Sequence, residues 1–195
     1  MSRIRTFIAI DVEKPVHDRL IALQEKLAKS ASEVKWVEPE NLHVTLLFLG
    51  EVDERELPAV CRAVADCTRP LAPFVMSVEK AGCFPTPRRP RVLWVGVGEG
   101  TQPLVALHDA LEPPLLDLGC YRREGRQYTP HITLGRVKSD RPTDQLAAAL
   151  AKQAGWKGGE VTVREVLVMG SELTPKGPVY TVLSRARLGA GETTG

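Results

Sequence analysis

Two short segments carry the residues best suited to chemistry, a histidine followed by a threonine. H-V-T-L begins at His43 and H-I-T-L begins at His131, so the pattern recurs with only a Val/Ile exchange. The two histidines lie 88 residues apart, almost half of the 195-residue chain, and only four histidines exist. A single H-x-T match is typical of a buried or surface histidine on an unrelated strand. Its repetition at half-chain spacing indicates a duplicated functional element.

The residue types of both segments predict β-strands, in which positions i and i+2 share one face. His43 therefore shares a face with Thr45, and His131 shares a face with Thr133. The apolar residues between and after them turn to the opposite face and into a core. If a pseudo-two-fold axis relates the two halves of the chain, both histidine–threonine pairs face one cleft.

A cleft with two imidazoles and two hydroxyls suits phosphodiester hydrolysis. One imidazole takes a proton from water and the other gives a proton to the departing oxygen, on opposite sides of phosphorus. A reference pKa near 6.5 allows one neutral and one protonated histidine at neutral pH. Threonine hydroxyls can hold the non-bridging oxygens. The chain has no clustered carboxylates of the two-metal type and no C-x-x-C pair, so no metal or cofactor is predicted.

The elements that must position these residues alternate between strands and helices. Strand patterns cover residues 5–12, 34–38, 43–50, 74–84, 91–97, 128–137, 161–173 and 179–188. Apolar positions at helical spacing predict helices over 15–31, 54–67, 102–118 and 143–154. Pro113 and Pro114 should break or kink the third helix. Strand pairs interleaved with single helices predict an α+β fold with mostly antiparallel sheets.

Composition and length bound the remaining possibilities. A 43% hydrophobic content supports one sizeable core, so residues 1–188 are expected to form one domain and 189–195 a disordered tail. A formal net charge of +2 excludes a strongly electrostatic DNA coat but allows a local basic cleft. The chain has neither a signal-peptide pattern nor an apolar run of ~20 residues, so a cytoplasmic location is expected.

Longer segments around the repeat resemble a known family, the RNA 2′,3′-cyclic phosphodiesterase branch of the two-histidine (2H) phosphoesterase superfamily, historically named 2′-5′ RNA ligase. Two H-x-T-x motifs define the superfamily. The resemblance to this branch is carried by WVEPENLHVTLLFLGEV (36–52), RPRVLWVGV (89–97), YTPHITLGRV (128–137) and SELTPKGPVYTVL (171–183). It extends from Arg5 to about Leu188, nearly the whole chain.

This resemblance implies a bilobal fold in which pseudo-two-fold duplicated antiparallel sheets flank a central cleft, with helices packed outside. It also implies that His43 donates a proton to the leaving O3′ and that His131 accepts one from water, without a metal. The residues themselves do not assign the acid and the base. The expected substrate is RNA with a 2′,3′-cyclic phosphate end, such as a tRNA fragment, and the expected product is a 2′-phosphomonoester, formed by a monomer. The alternatives are reversible 2′-5′ ligation of tRNA-half-like ends and a non-catalytic module that binds RNA ends.

Supporting residues have less specific signals. Arg136 follows the second motif and could bind phosphate, but strict alternation turns it away from His131 unless a twist or bulge occurs at Gly135. Phe48 should point into the core by the same alternation, although it, Phe7 and Tyr128 could stack on a base. Two arginine clusters are either part of an RNA path or solvated loops: Arg88, Arg89 and Arg91, and Arg122, Arg123 and Arg126.

Overall fold

The computed structural model describes residues 2–31, 33–123, 125, 127–138, 144–175 and 177–189. The strands are β1 (Arg3–Ile10), β2 (Val34–Trp36), β3 (Val44–Asp53), β4 (Phe74–Thr86), β5 (Arg89–Val97), β6 (His131–Val137), β7 (Lys157–Val163), β8 (Glu165–Thr174) and β9 (Gly177–Arg187). The helices are α1 (Lys14–Ala28), α2 (Leu57–Thr68), α3 (Thr101–Asp117) and α4 (Asp144–Ala151), and a 3₁₀ turn spans Pro39–Asn41. Apart from Gly189, the tail expected over 189–195 lies outside the described residues.

The sheet is antiparallel throughout and divides into two four-stranded halves. Its order is β7-β4-β5-β6-β3-β1-β8-β9, and β2 pairs separately with β6. The two central strands, β3 and β6, carry the first and second motif and share one bridging pair, Val44 with Ile132. No other pair of residues joins β3 to β6 in the sheet. The predicted α+β fold with duplicated antiparallel sheets and outer helices is confirmed.

The helices cover the faces of the sheet that the motifs do not use. Helix α1 packs against β7 and α4, whereas α2 packs against α3, β8 and β9. Each helix buries one stripe; in α1 the stripe includes Val16, Leu20, Leu23 and Leu27. None of the helices in the described ranges has the length and apolar character needed to cross a membrane.

One predicted strand proves to be two. Residues 161–173 were expected to run continuously, but β7 ends at Val163 and β8 begins at Glu165. Strand β7 pairs with β4 at one edge of the sheet, whereas β8 pairs with β1 in the other half. The chain crosses between the halves at Arg164, a topological demand that local alternation does not encode.

Of the predicted break or kink at the proline pair in the third helix, the break does not occur. Helix α3 continues through Pro113 and Pro114 to Asp117. Pro114 has no N–H for the carbonyl of Ala110, four residues earlier. The Cys67 thiol donates to that carbonyl instead, at 3.3 Å. This tertiary contact and the buried leucines on both sides of the prolines hold the helix together.

Candidate active site

The bridging pair at the centre of the sheet brings the two motifs together. Val44 and Ile132 are fully buried, so their neighbours along each strand turn to the opposite face, toward the cleft. Continuing the antiparallel register by one residue sets His43 opposite Thr133 and Thr45 opposite His131. The two histidines are therefore diagonal neighbours, and such positions lie about 7–8 Å apart. That spacing allows two imidazoles to bracket one phosphate group.

His43 is held by a hydrogen bond at each ring nitrogen. Its Nδ1 lies 2.7 Å from the Asn41 carbonyl oxygen, which can only accept, so Nδ1 carries a proton. Its Nε2 lies 2.8 Å from the Thr45 hydroxyl. The ring also stacks on Phe7, with centroids 5.0 Å apart, and meets the edge of Tyr180 at 5.6 Å.

Burial among these rings lowers the pKa of His43 below its usual 6.5. Desolvation is the largest cause; the hydrogen bond to the Asn41 carbonyl opposes it, and the electrostatic influence of His131 adds to it. The influence of His131 on this pKa agrees with the proximity of the two rings. Burial in the free site therefore favours the neutral form of His43.

His131 has a corresponding anchor on the other half-site. Its Nδ1 lies 2.7 Å from the Thr129 carbonyl oxygen, two residues earlier, as Asn41 is two residues before His43. The edge of the ring meets Phe84, with centroids 5.3 Å apart. Both histidines thus direct Nδ1 toward their own chain, which turns Nε2 outward.

A β-bulge at the last residue of each motif changes which residues face the cleft. Pairing skips Leu46 between β1 and β3, and it skips Leu134 between β5 and β6. The bulge brings Phe48 and Arg136, each five residues after its histidine, to the cleft side. Phe48 is 53% exposed, so the expectation that it lies in the core is wrong. Arg136 has the bulge that contact with substrate requires.

Gly135 explains why strand β2 can pair closely with β6 at the second bulge. A Cβ at this position would lie 2.7 Å from a methyl carbon of Val34 and 3.1 Å from the Lys35 carbonyl oxygen. Trp36 of strand β2 pairs with Gly135 in the sheet. The glycine therefore permits close packing of β2, which supports the strand that carries His131.

Two cavities meet at the motifs, one on each side. The first, about 210 Å³, is lined by His43, with Phe48, Tyr180 and Lys35 among its other walls. The second, about 390 Å³, is lined by His131. The residues common to both cavities are Thr45, Phe48, Thr133 and Arg136. All five residues predicted for the site thus lie at this junction.

Other predicted residues have different positions. Phe7 is buried and supports His43, and the Tyr128 ring stacks on His108. Of the arginine clusters, Arg126 lies outside the described residues, and none of the described members lines either cavity. Arg123 instead pairs with Glu112 at 3.3 Å.

Sequence reasoning missed Tyr180 and Phe84, which line the cavities from strands remote from the motifs. The only signal was their presence in or near the segments that carry the resemblance. The described residues also contain no group of three or more His, Cys, Asp or Glu side chains arranged to hold a metal ion.

Known proteins resemble this chain in both of its halves. The sequence profile described as LigT like Phosphoesterase matches this chain twice, over residues 10–94 and 95–180. The chain belongs to the LigT-like phosphoesterase family. The two matches together span most of its length and agree with the repeat.

Relatives in the LigT-like family cover nearly the whole chain. It is 40% identical over 186 residues to the RNA 2′,3′-cyclic phosphodiesterase of Methanothermobacter thermautotrophicus, covering 95% of this chain and 100% of that protein. The crystal structure of a Thermus thermophilus protein has a TM-score of 0.80 at 31% identity, covering 96% of this chain and 100% of that one. The E. coli LigT complexed with 3′-AMP has a TM-score of 0.75 at 26% identity, covering 96% and 99%.

Proposed function

We propose that the protein hydrolyses RNA 2′,3′-cyclic phosphate ends to RNA 2′-phosphomonoesters. The observation that carries the proposal is the arrangement of two histidine–threonine pairs around one junction, with each histidine lining a different cavity. In-line displacement at phosphorus needs an acid and a base on opposite sides, and this arrangement supplies both. Relatives named RNA 2′,3′-cyclic phosphodiesterase, at up to 40% identity, support the same substrate.

His131 acts as the base and His43 as the acid. His131 takes a proton from water as the water oxygen bonds to phosphorus. The bond from phosphorus to O3′ breaks, and His43 gives its proton to O3′, leaving a 3′-hydroxyl and a 2′-phosphate. The ribose then lies on the His43 side, next to the smaller cavity. The phosphate anion favours the imidazolium form and so counteracts the desolvation that lowers the pKa of His43 in the free site.

The remaining site residues bind the parts of the substrate that do not react. The hydroxyls of Thr45 and Thr133 donate to the non-bridging oxygens, and the Arg136 guanidinium adds charge-assisted hydrogen bonds. Phe48 and Tyr180 offer ring faces and edges to the terminal base. The 3′-AMP complex of E. coli LigT supports a nucleoside monophosphate in a site of this fold.

Several features of the proposal concern the protein as a whole. Both half-sites come from one chain, so residues 1–188 suffice as a single domain and a monomer. All four cysteines are free thiols, as expected in a reducing cytoplasm. We also propose that catalysis needs no metal, because two imidazoles, two hydroxyls and one guanidinium supply the proton transfers and the charge.

A second candidate reaction is favoured by the larger cavity. The in-line geometry reserves the His131 side for the nucleophile, yet the 390 Å³ of the cavity there far exceeds the ~15 Å³ of cavity volume that one water needs. An RNA 5′-hydroxyl could therefore replace water, which is the reversible 2′-5′ ligation of tRNA-half-like ends. Assays that include an RNA with a 5′-hydroxyl would detect the joined product.

The direct test uses a short RNA that ends in a 2′,3′-cyclic phosphate. We expect multiple turnovers to a product whose phosphate is on O2′, at the same rate in EDTA as in added Mg²⁺. An RNA with a linear 3′-phosphate serves as the unreactive control. A 3′-phosphate product would contradict the assignment of the leaving oxygen, and loss of turnover in EDTA would contradict the metal-free mechanism. Binding without turnover would support a module that only recognises RNA ends.

A further inference from the structure

The two motif strands diverge next to the reacting groups, and one side chain spans the opening. Strands β3 and β6 share only the Val44–Ile132 bridge, so Thr45 lies where the two halves begin to separate. The Tyr128 hydroxyl donates to the Thr45 carbonyl oxygen at 2.9 Å. Tyr128 lies three residues before His131. This hydrogen bond therefore connects the segment leading into the second motif with the backbone of the first.

The Tyr128 side chain is held rigidly for this contact. Its ring stacks on His108 of α3, with centroids 4.3 Å apart and planes 3° from parallel. Burial raises the pKa of Tyr128 well above 10, so the hydroxyl keeps its proton and remains a donor. A fixed ring and an obligatory donor make a defined link to Thr45 rather than a mobile one.

Thr45 passes this constraint to a histidine. Its hydroxyl lies 2.8 Å from Nε2 of His43, the nitrogen that faces the phosphate in the proposed reaction. The Thr45 carbonyl is held by Tyr128, and the Thr45 hydroxyl contacts His43. The equivalent position before the first motif is Glu40, an exposed residue of the 3₁₀ turn. The segment before the first motif bonds to the second motif by other groups, because the Val37 N–H and the Gln24 side-chain amide both donate to the Leu134 carbonyl oxygen at 2.9 Å.

We propose that Tyr128 is a positioning residue: it sets the orientation of Thr45 and, through it, that of His43, relative to the half-site of His131. This inference rests on the proposed function, because it concerns the same reaction. Tyr128 lines the cavity on the His131 side but not the cavity on the His43 side, where the ribose and base are expected. Its loss should therefore affect kcat more than KM.

The test compares Tyr128→Phe with Thr6→Val. Thr6 is a buried residue of β1 whose hydroxyl also donates to a backbone carbonyl at 2.9 Å, that of Ile4, away from the motifs. Each substitution removes one hydroxyl and keeps the remaining shape. We expect Tyr128→Phe to lower kcat about 5- to 10-fold with KM within about twofold, and Thr6→Val to leave both unchanged. If both variants lost kcat equally, the role of Tyr128 would be structural only, and the proposal would fail. The melting temperature of each variant is measured to show that it folds.

A double-mutant comparison identifies the route. If Tyr128 acts through Thr45, Tyr128→Phe should lower kcat less than about twofold in a Thr45→Val background but keep its full effect in a Thr133→Val background. Equal effects in both backgrounds would overturn the proposal. Failure of the proposed function is distinguishable, since the wild-type protein would then not turn over the cyclic phosphate. In that case, NMR of the His43 imidazole still tests the link: its resonances should move in Tyr128→Phe and not in Thr6→Val, and unchanged resonances would overturn it.

Discussion

The two half-sites share a backbone plan and differ in what that plan presents. Each has a histidine anchored through Nδ1 by the carbonyl two residues earlier, a threonine two residues later and a bulge after it. The residue five positions after each histidine then faces the cleft, as Phe48 in one half and Arg136 in the other. The same backbone arrangement therefore contributes an aromatic ring from β3 and a cation from β6 to both cavities.

This difference divides the work between the halves. Aromatic rings surround His43, bury it and lower its pKa. The second half contributes the guanidinium and the larger cavity. In the proposed reaction, the first half holds the nucleoside and protonates its oxygen, and the second binds the anion and admits the nucleophile. Both half-sites share the histidine and the threonine, and the proposed direction of the reaction depends on the residues in which they differ, Phe48 and Arg136 among them.

The largest effect is expected from removing the histidine that both half-sites share. His43→Ala and His131→Ala should each lower kcat by about 10²–10⁴-fold, because each eliminates one proton transfer. His17→Gln is the control, since that histidine lies on α1 and its donor to the Pro39 carbonyl is retained by the amide. Steady-state kinetics on a cyclic-phosphate RNA measure the loss. Substantial activity in either alanine variant would contradict a catalytic role for that histidine.

The next effect tests the cationic half. Arg136→Ala should lower kcat/KM about 10- to 100-fold, because charge-assisted hydrogen bonds to the phosphate are lost. The loss should be the same for a cyclic-phosphate nucleotide and for a base-free ribose 2′,3′-cyclic phosphate. Arg69→Ala is the matched control, since Arg69 is an exposed residue that follows α2 and pairs with Asp66. A loss that depends on the base would assign Arg136 to the nucleoside instead.

A smaller and more selective effect tests the aromatic half. Phe48→Ala should lower kcat/KM about 5- to 50-fold on substrates with a base, because a stacking surface is removed. On base-free ribose 2′,3′-cyclic phosphate its effect should disappear. If Phe48→Ala lowered activity equally on both substrates, the ring would support the catalytic geometry rather than the base.

The smallest effect concerns the charge of His43. In the free protein its pKa should lie below 6.5, because burial disfavours the imidazolium. Binding of a 2′-phosphate product should raise that pKa, because an adjacent anion favours the charged ring. NMR titration of the imidazole, with and without 2′-AMP, measures both values. A pKa that falls on binding would contradict placement of the phosphate beside His43.

Local patterns predicted much of this arrangement and missed what depends on partner strands. The repeat and strand parity predicted one cleft for both histidine–threonine pairs, since a two-residue period needs no tertiary knowledge, and the four side chains line two adjoining cavities. Parity failed at Phe48, because a bulge reflects pairing with β1 and is invisible in β3 alone. The crossing at Arg164 and the contributions of Tyr180 and Phe84 likewise arise only when distant strands meet.

The central claim is that the two imidazoles have opposite roles, and a sulfur substitution tests it directly. In a 2′,3′-cyclic substrate with sulfur in place of O3′, the leaving group is a 3′-thiolate. It needs little help from a proton donor because thiols are far more acidic than alcohols. His43→Ala should therefore recover to within about tenfold of the wild-type rate on this substrate, while His131→Ala should stay inactive. Recovery of His131→Ala, or of neither variant, would contradict the assignment of acid and base.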